Sequence, residues 1–182
     1  MVVVSGPSGV GKSTVCHRLC EMLPAEFSVS VTTRRPRPNE TNSRDYHYVS
    51  PDEFTRLRNE GGFLETAEVY GHLYGTPVKA VEEALRQGRT IVLEIDIQGC
   101  KQVREKMPHA KTFFLLPPTP EEQKRRIVGR RTDEQDVIRE RLSKADGEIR
   151  YAMESGCYNE FIINDDLDET VGRMINRISG RG

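Results

Sequence analysis

The sequence has no tryptophan, only four cysteines and no long apolar run. The cysteines form no CxxC pair and have no histidine cluster beside them, which favours buried thiols over disulfides or metal ligands. No apolar stretch approaches the roughly 20 residues of a membrane helix. The opening MVVV is too short for a signal peptide and lacks a basic flank. We therefore expect a cytoplasmic protein that has no membrane partner.

A strong net charge is also absent. Lysine and arginine together number 27 and aspartate and glutamate 28, which gives a net charge of −1. Arginines nevertheless crowd into 32–38, 123–132 and 138–142. Local arginine clusters in a near-neutral chain favour small phosphate ligands over a nucleic acid, which usually requires a basic domain. We expect a monomer that binds small phosphate ligands and no nucleic acid.

Short apolar runs alternate with helical patterns along the chain. The runs predict buried strands at 2–5, 90–99, 112–118 and 160–165, and the period-two alternation at 27–31 predicts a further strand. This alternation is typical of an α/β domain with a parallel sheet, and 182 residues suit one compact domain. Residues 34–77 and the arginine-rich stretch near 130 interrupt the pattern. We interpret both as inserts on a parallel core.

The clearest motif is GPSGVGKS at 6–13, which has the P-loop pattern GxxxxGK[ST]. Its glycines, Gly6 and Gly11, allow backbone N–H groups to turn towards a phosphate, and a following helix adds its positive dipole end. Lys12 supplies a charge for the β- and γ-phosphates, and Ser13 supplies an oxygen to Mg²⁺. The motif lies between a buried strand and an amphipathic helix, as this chemistry requires, so it predicts a nucleoside triphosphate site.

The remaining sequence narrows the class of P-loop protein. A Ras-type GTPase requires a base-reading NKxD motif, which is absent, and motor ATPases are usually longer. A small kinase remains, and such a kinase needs a second phosphate pocket. The apolar run at 90–99 carries an acid, Glu94 or Asp96, that we place near the metal or a substrate.

Residues 34–76 offer candidates for that second pocket. Arg34 and Arg37 lie three apart on a proline-stiffened loop and suit one phosphate, with the Tyr46 hydroxyl beside them. Glu65 lies in an apolar strand and needs a partner. Guanine offers a carboxylate two adjacent donors, which adenine does not. The remaining contacts suit Tyr74 and Thr76, although a lone tyrosine is more often a core or surface residue.

Six stretches in the same order together resemble guanylate kinase over nearly the whole chain. They are SGPSGVGKST, SVTTRRPRPNETNSRDYHYVS, FLETAEVYGHLYGTP, VLEIDIQG, GRRT and NDDLD. The resemblance implies a P-loop NTPase fold with a parallel sheet flanked by helices, a small mixed α/β insert and a helical lid. The implied bounds are 1–32, 78–123 and 147–182 for the core, 33–77 for the GMP-binding insert and 124–146 for the lid. The implied reaction phosphorylates GMP, and dGMP with it, using ATP and Mg²⁺.

The resemblance also implies residue roles. GMP contacts fall on Ser30, Arg34, Arg37, Tyr46, Glu65, Tyr74, Thr76, Glu94 and Asp96. ATP contacts fall on Gly6, Ser8, Gly9, Gly11, Lys12, Ser13, Thr14, Arg126, Arg130 and Asn164. The implied catalytic residues are Lys12, Arg37, Arg130 and Arg141. Ser13 is the implied Mg²⁺ ligand, together with waters and phosphates.

The chain departs from the family pattern at a few positions, and two alternatives stay open. Leu73 stands where many members have tyrosine, Arg131 replaces a lid glycine, and Gly147 is unusual in a long helix. None of these removes a catalytic group. One alternative is a scaffold domain that binds phosphorylated peptides, in which the P-loop is typically damaged. The other is a kinase for a different monophosphate, such as AMP or a pyrimidine nucleotide.

Overall fold

The computed structural model describes residues 1–38, 40–128 and 135–180, without the side chains of 135–142 and 144. Its strands are β1 (Val2–Ser5), β2 (Ala25–Phe27), β3 (Val31–Thr32), β4 (His47–Tyr48), β5 (Phe63–Val69), β6 (His72–Pro77), β7 (Thr90–Glu94), β8 (Lys111–Leu116) and β9 (Glu160–Ile163). Its helices are α1 (Lys12–Met22), α2 (Pro51–Asn59), α3 (Val78–Arg86), α4 (Ile97–Lys106), α5 (Pro120–Val128), α6 (Gln135–Glu154) and α7 (Leu167–Ile178).

The larger sheet is parallel throughout and has the strand order β2-β7-β1-β8-β9. The central strand β1 is buried along its whole length. Val2 and Val4 pack with α1 and α7 on one face, whereas Val3 packs with α3 and α4 on the other. A strand covered on both faces favours apolar residues, which is why β1 begins with three consecutive valines. Its last residue, Ser5, is buried as well, and its hydroxyl donates to the Ile95 carbonyl at 2.8 Å.

The smaller sheet has the order β4-β3-β6-β5 and is mixed, with β3 parallel to β4 and antiparallel to β6. The single strand predicted at 27–31 is wrong. Its first residue, Phe27, ends β2 of the larger sheet, and its last, Val31, begins β3 of the smaller one. The chain therefore crosses between sheets within the predicted strand, and the smaller sheet begins two residues before the predicted insert.

Capping side chains decide two helix starts. Ser50 accepts a hydrogen bond from the Glu53 N–H at 3.2 Å, which confirms the predicted start of α2. The second half of the strand predicted at 90–99 is wrong, because β7 ends at Glu94 and α4 begins at Ile97. Asp96 caps α4 by accepting a hydrogen bond from the Gly99 N–H at 2.9 Å. A local side-chain cap thus ends an apolar run that reads as a strand.

The cysteines are free thiols. Cys16, Cys100 and Cys157 are buried in the core, and Cys20 is half-buried. The expectation of small buried thiols is confirmed for the first three. No helix among the residues described is long and apolar enough to cross a membrane.

Candidate active site

The loop between β1 and α1 can be formed only with glycine at particular positions. Gly9 and Gly11 have φ angles of +80° and +94°, in the left-handed region that favours glycine. A Cβ at Gly9 would lie 2.4 Å from Cγ1 of Ile127, and one at Gly11 would lie 2.8 Å from Nδ2 of Asn164. The P-loop is therefore fitted closely against α5 and the chain after β9.

Two buried side-chain amides donate hydrogen bonds to the backbone of this loop. Asn164 Nδ2 donates to the Val10 carbonyl at 2.7 Å, and Gln123 Nε2 donates to the Ser8 carbonyl at 2.8 Å. Asn164, a predicted ATP contact, thus uses its amide on the loop. The sequence analysis did not predict a role for Gln123. The one feature that could have pointed to it is that Gln123 is an uncharged polar residue among the charged residues of α5. Arg126 donates to Glu122 at 2.8 Å and to the Asn164 carbonyl at 3.0 Å.

Lys12 and Ser13 stand in the first turn of α1. The Lys12 ammonium donates to the carbonyls of Gly6 at 2.7 Å and Pro7 at 3.2 Å. The Ser13 hydroxyl donates to Glu94 Oε1 at 3.1 Å, across from the end of β7. Thr14 is exposed beside them. A hydroxyl next to a carboxylate is a hard oxygen pair that suits Mg²⁺, which typically takes one or two protein ligands and completes its shell with water and phosphate.

A cavity of about 450 Å³ lies between the carboxyl end of the larger sheet and the smaller sheet. Gly6, Ser8 and Lys12 of the P-loop line one side of it. Eight of the nine predicted GMP contacts also line it: Ser30, Arg34, Arg37, Tyr46, Glu65, Tyr74, Glu94 and Asp96. The ninth, Thr76, lies behind Glu65 and contacts its carboxylate. Loops at the carboxyl ends of parallel strands are where ligands of such folds bind.

The two arginines of the cavity share an acid that sequence reasoning missed and that is not one of the residues lining the cavity. The Glu40 carboxylate accepts hydrogen bonds from Arg34 at 2.8 and 2.9 Å, the Arg37 backbone N–H at 2.8 Å and the Tyr48 hydroxyl at 2.7 Å. Burial alone would raise the pKa of Glu40, but these hydrogen bonds and the Arg34 charge lower it to about 2. Glu40 therefore stays ionised and fixes both arginines.

Two tyrosines complete the arginine end. Arg34 Nε donates to the Tyr74 hydroxyl at 3.2 Å, and the Arg34 guanidinium carbon lies 5.4 Å from the centre of the Tyr46 ring. The two rings meet edge to face at 5.9 Å. Burial raises the pKa of Tyr46, so its hydroxyl remains a neutral hydrogen-bond donor. This end of the cavity is cationic and held in place on several sides, as recognition of a phosphate requires.

Another part of the cavity wall is built around Glu65. Its side chain is 3% exposed, and Thr76 Oγ1 donates to Glu65 Oε1 at 2.7 Å. Burial raises the pKa of Glu65 to about 7, with the Thr76 hydrogen bond opposing and the negative charge of Asp96 adding to the shift. Burial likewise raises the pKa of Asp96. One hydroxyl donor leaves a carboxylate with acceptor capacity, which suits a ligand with adjacent donors.

Not all of the predicted residues can be placed. Arg130 and Arg131 fall within 129–134, and the side chain of Arg141 is also outside the described part of the chain. Nearby, Gly147, Glu148 and Tyr151 of α6 line the cavity, a contribution that sequence reasoning did not predict. Tyr70 and Gln98 line it as well, and the sequence offers no signal that separates them from surface residues.

These features define a class of protein. A P-loop at the carboxyl end of a parallel sheet faces, across one cavity, a second anion site that includes Arg34 and a buried acid. That combination is the arrangement of a P-loop phosphotransferase that holds two phosphorylated ligands.

Comparison with known proteins gives the family. The family model described as guanylate kinase matches residues 1–179. A guanylate kinase of Rubrobacter xylanophilus is 45% identical over 176 residues, covering 96% of this chain and 91% of that protein. One of Escherichia coli K12 is 43% identical over 171 residues, covering 92% and 81%. The crystal structure of guanylate kinase from Anaplasma phagocytophilum matches with a TM-score of 0.82 and 35% identity, covering 100% of this chain and 85% of that one. The chain belongs to the guanylate kinase family.

The membership confirms the predicted family, the P-loop NTPase fold and the class of enzyme. Guanylate kinases are phosphotransferases of purine nucleotide metabolism that convert GMP to GDP with ATP as the phosphoryl donor. The predicted activity is confirmed at this level.

Proposed function

We propose that this protein catalyses ATP + GMP ⇌ ADP + GDP with Mg²⁺, accepts dGMP as well, and binds GMP in the cavity between the two sheets. The observation that carries the proposal is that Lys12, Arg34, Arg37 and Glu65 all line one cavity. A monophosphate held by the arginines and by Glu65 would therefore share this cavity with a phosphate held by Lys12.

The acceptor phosphate is bound by Arg34, Arg37, Tyr46 and Tyr74 in this proposal. Glu40 and Tyr74 already fix the Arg34 fork, so little side-chain entropy is lost when a phosphate arrives. A phosphate oxygen is ionised near neutral pH and is its own nucleophile, so the reaction needs no general base. This agrees with the absence of histidine among the described residues that line the cavity.

The guanine is recognised by Glu65 in this proposal, with Thr76 behind it and Ser30 and Asp96 beside it. The ionised carboxylate accepts from guanine N1–H and the 2-amino group together. Adenine has no such adjacent pair, and leaving a buried carboxylate without donors is costly. Discrimination against AMP therefore follows from the burial of Glu65.

The donor triphosphate is bound by the backbone of the P-loop and by Lys12, which exchanges the Gly6 carbonyl for a phosphate oxygen. Ser13 and Glu94 are the residues that would hold Mg²⁺, which when bound neutralises charge on the phosphates. Arg126, Arg130 and Arg141 are proposed to act on the donor side, with Arg130 and Arg141 catalytic together with Lys12 and Arg37. Catalysis consists of alignment and charge neutralisation.

A coupled assay of ADP release tests the proposal, with GMP, dGMP, IMP, AMP, CMP and UMP offered separately. We expect release to depend on GMP or dGMP and to disappear with EDTA. A preference for AMP or a pyrimidine nucleotide would contradict the assignment of Glu65. ATP turnover that ignores every monophosphate would contradict the acceptor site as a whole.

We infer further that the protein acts in the cytoplasm as a monomer and without a nucleic-acid partner. A net charge of −1 supports this, because non-specific nucleic-acid binding requires a basic surface. Light scattering coupled to size-exclusion chromatography should give a mass near 20.7 kDa. A mass of twice that value would contradict the monomer.

A further inference from the structure

We infer that Gly99, in the first turn of α4, is a specificity-determining position, because only a residue without a side chain leaves room for the Glu65 carboxylate. The inference rests on the proposed function, since it concerns how Glu65 is held for guanine. Gly99 does not line the cavity and would act through Glu65, so its role is positioning rather than catalysis.

The contact between Gly99 and Glu65 is closer than any side chain at Gly99 permits. A Cβ built at Gly99 would lie 2.3 Å from Glu65 Oε2 and 2.9 Å from Glu65 Cδ. The next nearest atom is Cβ of Ile95, at 3.3 Å. The conflict is therefore almost wholly with the end of one side chain, the group that is proposed to read the base.

The helix that carries Gly99 is anchored to the strand that carries Glu65. The Gln102 side-chain amide bonds both backbone groups of Thr66, donating to its carbonyl at 2.7 Å and accepting from its N–H at 3.1 Å. Lys106 also donates to the Leu64 carbonyl of β5. Asp96 caps the start of α4 by accepting from the Gly99 N–H, which fixes the first turn of the helix. The helix cannot easily move away from β5, so an added methyl group is relieved by movement of the Glu65 carboxylate.

The consequence is confined to the base end of the cavity. Gly99 has no φ angle in the left-handed region, so alanine suits the helix backbone at this position. A displaced Glu65 carboxylate loses its alignment with the Thr76 hydroxyl and with guanine. Arg34 and Arg37 lie on the loop after β3, and Lys12 lies in α1, so neither phosphate site shares the clash.

The test compares Gly99→Ala with Gly172→Ala, a matched control within α7 where an added Cβ meets no atom of the described residues within 4 Å. The readouts are kcat/KM for GMP and for IMP, the KM for ATP and the temperature of unfolding. In Gly99→Ala we expect the ratio of kcat/KM for GMP to kcat/KM for IMP (the GMP-to-IMP ratio) to fall by about tenfold or more, with an unchanged KM for ATP. Gly172→Ala should match the wild type. A folded Gly99→Ala variant with wild-type ratio and GMP KM would overturn the inference.

A second variant decides the matter if Gly99→Ala does not fold. Gln102→Ala removes the hydrogen bonds that anchor α4 to Thr66. Gly99 and Glu65 can then separate, and the packing of α4 no longer holds the Glu65 carboxylate in position for guanine. We expect a smaller loss of the GMP-to-IMP ratio, again with an unchanged KM for ATP. A folded Gln102→Ala variant with the wild-type ratio would overturn the inference in that case.

Glu65→Gln separates failure of this inference from failure of the proposed function. If Glu65→Gln keeps the wild-type ratio, Glu65 does not read guanine and the proposed function fails together with the inference. If Glu65→Gln loses the ratio while Gly99→Ala and Gln102→Ala both fold and keep it, only the inference fails.

Discussion

At the scale of single residues, two carboxylates have opposite pKa shifts: Glu65, which lines the cavity, and Glu40, which bonds the arginines of the cavity. Glu65 is buried with a single hydroxyl donor and its pKa is raised to about 7, whereas Glu40 is surrounded by arginine donors and its pKa is lowered to about 2. The difference follows from the partners, since burial raises the pKa of both. The two residues should therefore respond to pH in different ranges.

Binding of GMP should weaken below about pH 7 because of Glu65. Only the ionised carboxylate accepts from both guanine donors, and the raised pKa leaves it protonated at lower pH. We expect the KM for GMP to rise about tenfold for each pH unit below 7. The Glu65→Gln variant is the control, because it retains the titration of the GMP phosphate and loses that of the carboxylate. Equal pH profiles in both proteins would contradict this prediction.

Glu40 should contribute stability that disappears in acid. Its folded-state pKa lies below the ordinary value of 4.5, so the contribution is fully present above about pH 4.5 and is lost as pH falls towards 2. Chemical denaturation at pH 6 and pH 3 should show a smaller loss of unfolding free energy in Glu40→Gln than in wild type. We also expect Glu40→Gln to raise the KM for GMP several-fold, because Arg34 is no longer fixed. Identical losses on acidification would contradict the role of Glu40.

Lys12 should be required for turnover and not for folding. Its ammonium donates to the Gly6 and Pro7 carbonyls at the surface of the P-loop, so alanine removes a charge proposed to act in the transition state without opening the core. We expect Lys12→Ala to lower kcat by about 100-fold or more, which is typical for loss of one electrostatic stabiliser. Circular dichroism should be that of the wild type. A variant that retains activity would contradict the P-loop assignment.

At the scale of elements, neighbouring segments support the two proposed ligand sites on the side away from the cavity. α5 and the chain after β9 fix the P-loop through Gln123 and Asn164, and α4 fixes β5 through Gln102. Each contact joins a side-chain amide to a backbone group of another element. The precision of the site therefore depends on how the elements pack, as well as on the residues that face the ligand.

Loss of Gln123 should affect the ATP site alone. Its buried side-chain amide donates a hydrogen bond to the Ser8 carbonyl. Leaving that carbonyl without a donor costs about 1–3 kcal/mol. We expect Gln123→Ala to raise the KM for ATP about tenfold with an unchanged KM for GMP. Gln87→Ala, at the exposed end of α3, is the matched control. An equal rise of both KM values would indicate general loosening and contradict the prediction.

At the scale of the whole molecule, residues from two sheets line one cavity and form the two halves of the proposed site. The P-loop belongs to the larger sheet, and Glu65, Tyr74 and the arginine loop belong to the smaller one. We predict that the insert at 33–77 and the lid at 124–146 close over the nucleotides, because Lys12 and the arginines must surround the same phosphates.

Small-angle scattering tests this closure. We expect the radius of gyration to fall when GMP is added together with a non-hydrolysable ATP analogue, and to fall less with either ligand alone. The Lys12→Ala variant with GMP alone provides a reference for the half-loaded protein. An unchanged radius with both nucleotides would contradict closure.

Local sequence predicted those elements whose cause is local. The P-loop between β1 and α1 follows from glycine spacing, and α2 follows from Ser50 and Pro51. The failures have non-local causes. Phe27 and Val31 form one alternating pattern but pair with different sheets, and an apolar run continues past Glu94 although Asp96 begins a helix there. Pairing partners and caps decide such positions, and a period of two does not reveal them.

The sequence by itself determined the phosphate-binding loop and the α/β class, and its resemblance named the nine residues that are proposed to bind the acceptor, because these depend on residue types at fixed spacings. Only the tertiary structure decided that Glu40 fixes Arg34, that Gln123 and Asn164 support the loop, and that Gly99 makes room for Glu65. Most of these pairs are widely separated in the chain, and even Glu40 meets Arg34 only because the loop folds back. Contacts of this kind come from packing, which no local pattern of residues encodes.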